Sequence, residues 1–108
     1  MLEIFKTINE ELVKLDSFEE GAWVNLTNPT EAEINYVCEK LGAEPDFVRA
    51  ALDEEERARI DYENGQTLII VDIPIIEKDD KIDLYSTIPL GIIVLKECIL
   101  TVCLKENS

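Results

Sequence analysis

The sequence predicts an α/β (α+β) domain: a mixed parallel and antiparallel β-sheet with two helices on one face, its elements in the order βββααββββ. Three observations carry this. Residues 53–76 read DEEERARIDYENGQTLIIVDIPII, with Asn64-Gly65 between two β-rich runs, and both residues tolerate the positive φ of a type I′ hairpin turn. Thr30-x-x-Glu33 forms a capping box, followed by Ile34, Val37, Cys38 and Leu41 on the i, i+3, i+4, i+7 template of one helical face. On both sides of that helical stretch the chain reads as short apolar runs bounded by charged or Asn/Gly turns.

Taken in order, Leu2 to Ile8 is a first strand and Leu12 to Leu15 a second, with Asn9-Glu10-Glu11 between them. Ala22 to Leu26, which holds the single tryptophan Trp23, is a third. Asn28-Pro29-Thr30 then opens helix one, about 30–41 by the capping and periodicity rules, and Gly42 supplies its left-handed stop. Pro45 opens helix two, whose apolar stripe is Phe47, Val48, Ala51 and Leu52. Four acids follow, Asp53 to Glu56. At a helix C-terminus they oppose the macrodipole, a mismatch that a loop or a bound cation would remove.

Ala58, Ile60 and Tyr62 alternate with Arg57, Arg59, Asp61 and Glu63, as in an edge strand or a strand wet on one side. Leu68 to Ile76 shows no polar face and reads as buried on both sides. Glu77 to Asp83 is a charged turn into Leu84–Leu95, and Lys96-Glu97 turns into a last strand, Cys98–Leu104. Pro74 and Pro89 fall inside strands and must each mark a bulge, an edge or a gap in pairing. A hairpin centred on Asp80 sets Pro74 opposite about Ser86 and Pro89 opposite about Val71.

At 108 residues the chain holds one domain and one core. Its 24 acidic residues against 10 basic ones give a formal charge of −14. That charge repels phosphates and so excludes nucleic acid and anionic lipid as partners. Cations are compatible ligands, although the ordinary role of an acidic surplus is solubility. Cys38, Cys98 and Cys103 form no C-x-x-C pair and lie in apolar runs, as core thiols in a reducing compartment do. The chain has no histidine, so every histidine-based triad, zincin motif and proton shuttle is excluded. Nothing resembles a signal peptide, and the longest apolar runs fall far short of the ~18 residues that span a bilayer; the chain as given is expected to be soluble.

Asp53, Glu54, Glu55 and Glu56 form the one dense carboxylate cluster. It is a candidate site for a hard cation such as Mg²⁺, to be set against a solvated helix end. Asp72, inside an apolar strand, needs a partner if it is buried. Arg57 or Arg59 is a candidate, and a subunit contact or a metal is the alternative. The four glycines do not cluster into a phosphate loop, and no nucleophile stands beside a base. Catalytic and cofactor-binding residues are therefore not assigned, and an enzyme is not expected.

The segments Trp23–Thr30 (WVNLTNPT), Ala51–Asp61 (ALDEEERARID), Leu68–Pro74 (LIIVDIP), Thr87–Ile93 (TIPLGII) and Leu100–Cys103 (LTVC) occur in an order and at spacings that resemble the CorA family of magnesium and related divalent-cation channels. The resemblance runs from about residue 2 to about residue 105. It implies the amino-terminal cytosolic domain of such a channel, a mixed sheet packed between helices and joined by a long stalk helix to two membrane helices. It also implies a homo-oligomer, pentameric in the full-length protein, at the cytoplasmic face of the membrane. Mg²⁺ or another divalent cation would be the transported or regulatory ion. The family's Gly-Met-Asn pore signature is absent, since the single methionine is Met1. On this reading residues 1–108 are one soluble domain, a fragment that does not conduct. The family's acidic regulatory position in the second helix falls near Ala50, which carries no ligand; Asp53 and Glu54 lie one turn on.

Two functional readings follow. One is a regulatory and assembly domain of a CorA-like divalent-cation transporter; the other is a free-standing acidic scaffold or adaptor that binds a protein partner through its sheet. Counting faces adds an expectation. A sheet of about six strands spaced ~4.8 Å apart is roughly 25 Å wide, and two helices each ~10 Å across cover most of one face. The second face, apolar in the strands at 67–76 and 98–104, is left open, and the chain is expected to self-associate through it.

Overall fold

The computed structural model describes residues 1–79 and 82–105, with 75–79 and 82–86 described by their backbone pairing alone. The described residues form seven strands and two helices: β1 (Leu2–Ile8), β2 (Glu11–Leu15), β3 (Ala22–Thr27), α1 (Glu31–Lys40), α2 (Pro45–Ala51), β4 (Arg59–Glu63), β5 (Gln66–Asp79), β6 (Ile82–Val94) and β7 (Cys98–Cys103). The strands make one mixed sheet in the order β2-β1-β3-β7-β6-β5-β4. It consists of two antiparallel meanders, β2-β1-β3 and β7-β6-β5-β4. They are joined by a parallel pairing of β3 with β7 that runs from Ala22↔Cys98 to Thr27↔Cys103. The hairpin turns have the chemistry that tight turns need. Asn64 and Gly65 take φ of 51° and 79°, and Asn9 and Glu10 take 52° and 68° between the paired Ile8 and Glu11.

The helices begin and end where their caps dictate. Thr30 accepts the Glu33 N–H at 3.1 Å, and Glu33 Oε1 accepts the Thr30 N–H at 2.9 Å, closing the capping box. That backbone donor holds the Glu33 carboxyl below its ordinary pKa. Gly42 takes φ 75° after the Leu41 cap, and Pro45 opens α2. α2 ends at Ala51 and Asp53–Glu56 lie in the turn beyond it. The four acids are therefore not helical, and the mismatch with the macrodipole disappears.

Both helices cover the same face. Ile34 and Val37 of α1 and Phe47, Val48 and Ala51 of α2 share one buried cluster with Ile4, Val24, Leu100, Ile93 and Leu68. Those five sheet residues form one transverse row across five strands. α2 lies close over β6: a Cβ on Gly91 would collide with the Ala51 side chain. Glycine is required here by the approach of a helix rather than by a turn.

Three expectations are corrected. β5 is not buried on both sides: Leu68 and Ile70 are buried beneath the helices, whereas Thr67 and Ile69 are half-buried and Val71 and Asp72 are exposed. The charged stretch 77–83 is mostly strand, because pairing continues to Asp79↔Ile82. That pairing centres the hairpin between residues 80 and 81, which lie outside the described residues. The register is therefore one residue from that of a hairpin centred on Asp80, and Pro74 faces Thr87 while Pro89 faces Asp72.

Both prolines sit at an open edge, as their missing donor requires. The two-residue Asn64–Gly65 turn makes Glu63 and Gln66 a hydrogen-bonded pair. Even-numbered residues of β5 thus direct their backbone groups at β4 and odd-numbered ones at β6. Pro74 lacks its N–H on the β4 side, where pairing has already ended at Arg59↔Ile70. By the same alternation Pro89 lacks its own on the β7 side, past the last pair, Leu90↔Cys103. Beyond these points β5 and β6 are a two-stranded ribbon.

Val37, fully buried where α1 meets the sheet, tests this arrangement. Val37→Asp places an unpaired charge in the core and should cost at least ~3 kcal/mol in a denaturant melt. An unchanged melting curve would contradict the packing of α1.

Candidate functional site

The functional surface is best sought on the face that the helices leave bare. Strand pairing sets its side chains in transverse rows. One row runs Lys14, Phe5, Trp23, Ile99, Val94, Thr67 and Tyr62 across all seven strands. The next runs Glu3, Asn25, Thr101, Ile92, Ile69 and Ile60. Directly opposed residues share a face, so these rows are the outer surface. Its members are substantially open: Ile99 is 47% exposed, Val94 40%, Trp23 37%, Ile60 75% and Tyr62 70%. At one end Ile88 and Cys103 are buried in a small satellite cluster with Ile73 and Leu90.

Charge is nearly missing from this surface. In a chain with 24 acidic residues, the two rows hold one carboxylate, Glu3, and one ammonium, Lys14, 3.4 Å apart as an ion pair. The polar groups in the middle of the face satisfy one another. Trp23 Nε1–H donates to Thr101 Oγ1 at 2.7 Å, and the Thr101 hydroxyl donates to Asn25 Oδ1 at 2.8 Å. The Asn25 amide in turn donates to Thr27 Oγ1 at 3.2 Å. The Trp23 ring also leans on Phe5, with centroids 4.9 Å apart. Polar groups matched in this way can be covered without being orphaned, which would otherwise cost about 1–3 kcal/mol each. These features suit the face to burial against another protein surface.

The sequence-predicted cation residues are elsewhere, in the turn after α2. Asp53 Oδ1 accepts the Glu55 N–H at 3.0 Å, and Glu56 Oε1 accepts from Arg59 Nε at 2.9 Å. Two of the four carboxylates are thus engaged in their own turn, and Glu54 and Glu55 are exposed. Among the described residues, no group of three or more Cys, Asp or Glu converges on one point. Ala50, near the family's regulatory position, packs part-buried against the core. Asp72 is exposed and forms no ion pair with a described residue, which corrects the expectation of a buried carboxylate seeking Arg57 or Arg59. β5 runs past its neighbour β4 at that point, so water solvates the group. Arg59 is instead held by Glu56 and, at 2.8 Å, by Asp61.

The three cysteines are free, and burial pushes the Cys38 and Cys98 thiols above their ordinary pKa. That disfavours the thiolate and with it nucleophilic or metal-binding chemistry. The Trp23–Thr101–Asn25–Thr27 ladder is nearly invisible in the sequence. Its only sequence signal is alternation of polar with apolar residues in β3 and β7, and the ladder exists because those strands, distant in the chain, lie side by side.

Comparison with known proteins follows the fold. A family model described as "CorA-like Mg2+ transporter protein" matches residues 18–108. The complete structure of the CorA magnesium transporter from Methanocaldococcus jannaschii superposes with a TM-score of 0.80 at 25% identity, covering 99% of this chain and 33% of that one. The soluble domain of CorA from the same organism gives 0.79 at 22% identity, covering 99% and 42%. The chain thus spans less than half the length of either protein. No curated protein matches it.

The geometry of the acidic turn yields an expectation for Mg²⁺. Millimolar Mg²⁺ should raise the melting temperature slightly, and salt at equal ionic strength should reproduce most of the rise, because screening of the −14 charge is the main effect. Replacing Asp53, Glu54, Glu55 and Glu56 by Asn or Gln should leave that rise largely in place. Its abolition would identify the turn as a true cation site acting by mass action on the folded state.

Proposed function

Since this chain belongs to the CorA-like Mg2+ transporter family, we propose that it is the cytosolic regulatory and assembly domain of a divalent-cation transporter. The observation that carries this reading is a match of 99% of the chain, at a TM-score of 0.80, onto one third of a complete magnesium transporter. Among the described residues, no helix is long and apolar enough to cross a membrane. The bare face agrees with the expectation of a sheet packed between helices. It is largely apolar and poor in charge, and the polar side chains at its centre bond one another, as suits a surface that is to be covered. In the full protein the domain contributes to a homo-oligomer whose transported ion is Mg²⁺ or a related divalent cation. In a chain of these residues alone, the same face closes on another copy.

The natural gene tests the first part. Read past the codon for Ser108, it should encode two apolar segments with Gly-Met-Asn between them, and a stop codon at that point would favour a free-standing adaptor instead. Light scattering tests the second. At ~100 μM the purified chain should self-associate and bind a hydrophobic dye, as large open apolar patches do. V94K/I99K should weaken both without loss of fold, since both positions are already 40% or more exposed. A strict monomer with no dye binding would show that the face is not an association surface.

A further inference from the structure

The edge of the sheet carries a second surface, independent of the bare face and of the transporter reading. β4 is the last strand of the sheet, and all five of its residues are exposed. With the two residues before it, the strand reads Arg57-Ala58-Arg59-Ile60-Asp61-Tyr62-Glu63. About Ile60 this segment is antisymmetric in charge: Arg59 mirrors Asp61 and Arg57 mirrors Glu63, while Ala58 mirrors Tyr62. A strand of this kind is complementary to an antiparallel copy of itself. We propose that β4 pairs with β4 of a second copy about a two-fold axis at Ile60, joining two seven-stranded sheets into one continuous sheet.

The backbone agrees with that register. The Asn64–Gly65 hairpin directs the groups of Arg59, Asp61 and Glu63 at β5, which leaves those of Ile60 and Tyr62 pointing outward; Ala58 lies in a bend just before the strand and takes the outward position when the strand extends to it. The Tyr62 N–H is accordingly taken by the Asp61 side chain at 2.8 Å rather than by another strand. Pairing about Ile60 sets outward groups against outward groups: Ile60 against the partner's Ile60, and Ala58 against the partner's Tyr62. In the alternating pairs, Arg59 faces the partner's Asp61 and Arg57 faces the partner's Glu63. Opposite charges directly across an antiparallel pair stabilise it, and like charges destabilise it. Two alternative registers with the same backbone parity are equally near: one is centred on Arg59 and sets two arginines face to face, and the other is centred on Asp61. The latter sets two aspartates face to face and leaves Arg57 without an acidic partner, so charge selects Ile60.

Formation requires that residues 57 and 58, which lie outside the strand, extend to join it, and it requires one exchange of partners. In the single chain Arg59 holds its own Asp61 at 2.8 Å; in the pair it turns to the partner's Asp61, and the partner's Arg59 takes this one. The acid released from the Tyr62 N–H frees that donor for the partner's Ala58 carbonyl. The other end of the sheet offers no such match. About Val13, β2 (Glu11–Leu15) would set Glu11 against Leu15 and Leu12 against Lys14. An open edge is a template for pairing with any extended chain, and the charge antisymmetry makes a second copy the favoured occupant.

The test uses two charge-reversed variants, R57E/R59E and D61K/E63K, in the V94K/I99K background, where the bare face no longer contributes. Sedimentation or light scattering of that parent should show a dimer at up to roughly 500 μM, the range of weak association. Each charge-reversed variant alone should associate at least tenfold more weakly, and an equimolar mixture of the two should recover a heterodimer. Circular dichroism of each variant verifies the fold, and recovery on mixing itself requires folded chains. In the same parent, amide exchange at Ala58, Ile60 and Tyr62 should slow as concentration rises, while Arg59 and Asp61 stay protected throughout by β5. Three results would each overturn the proposal: a monomeric parent, variants that dimerise as well as the parent, or a mixture that stays monomeric. Survival of association when the same charges are reversed in the native chain, with its loss in V94K/I99K alone, would assign self-association to the bare face and overturn the proposal.

Discussion

The parallel contact between β3 and β7 is the constraint on which the rest of this fold depends. Parallel neighbours cannot be joined by a tight turn; the chain must leave the sheet and return. Here it leaves at Thr27 and comes back at Cys98, and everything from α1 to β6 lies in between. The two helices are the outbound part of that excursion, and both settle on one side. On the other side no helix packs, among the described residues. The contrast between a covered and a bare face is thus a consequence of topology, and composition then follows it: buried Val24, Leu26, Leu100 and Val102 on one side, Trp23, Asn25, Ile99 and Thr101 on the other.

Contact on the covered side is close enough to dictate residue choice. The collision that any side chain at Gly91 would have with Ala51 shows α2 lying nearly on the backbone of β6. Burial there leaves no room for a functional group, and the core contains no buried polar or charged side chain among the described residues. The chemistry of the molecule is therefore at its surface. Ion pairs such as Arg49–Glu31 at 3.0 Å, which lowers the Glu31 pKa, are exposed and contribute little to stability in water. Stability comes from apolar burial, and the acidic surplus serves the exterior.

Local features were legible in the sequence because short-range chemistry determines them. Asn64-Gly65 gave the turn, Thr30 and Glu33 gave the start of α1, and Gly42 its end. The order of nine elements could be read from periodicity for the same reason. What was hidden depended on distance or on one-residue counting. The pairing of β3 with β7 joins residues 76 positions apart, as Asn25 and Thr101 show, and with it came the hydrogen-bond ladder. A centre one half-residue along the chain moved the β5–β6 register. Asp72 looked buried because its neighbours in sequence are apolar; whether it is depends on where β4 stops. The acidic turn could be named from sequence, but the engagement of Asp53 and Glu56 with their own neighbours could not.

The two prolines of the β5–β6 ribbon have a consequence for the fate of the protein at high concentration. A bare two-stranded ribbon rich in isoleucine is the kind of element onto which further chains stack into fibrils. Pro74 and Pro89 each delete a donor on the outward side of their strand, one on either flank. A strand arriving at either flank finds the ladder interrupted, so templated growth stalls there. The ribbon can remain long without becoming a seed for cross-β polymerisation.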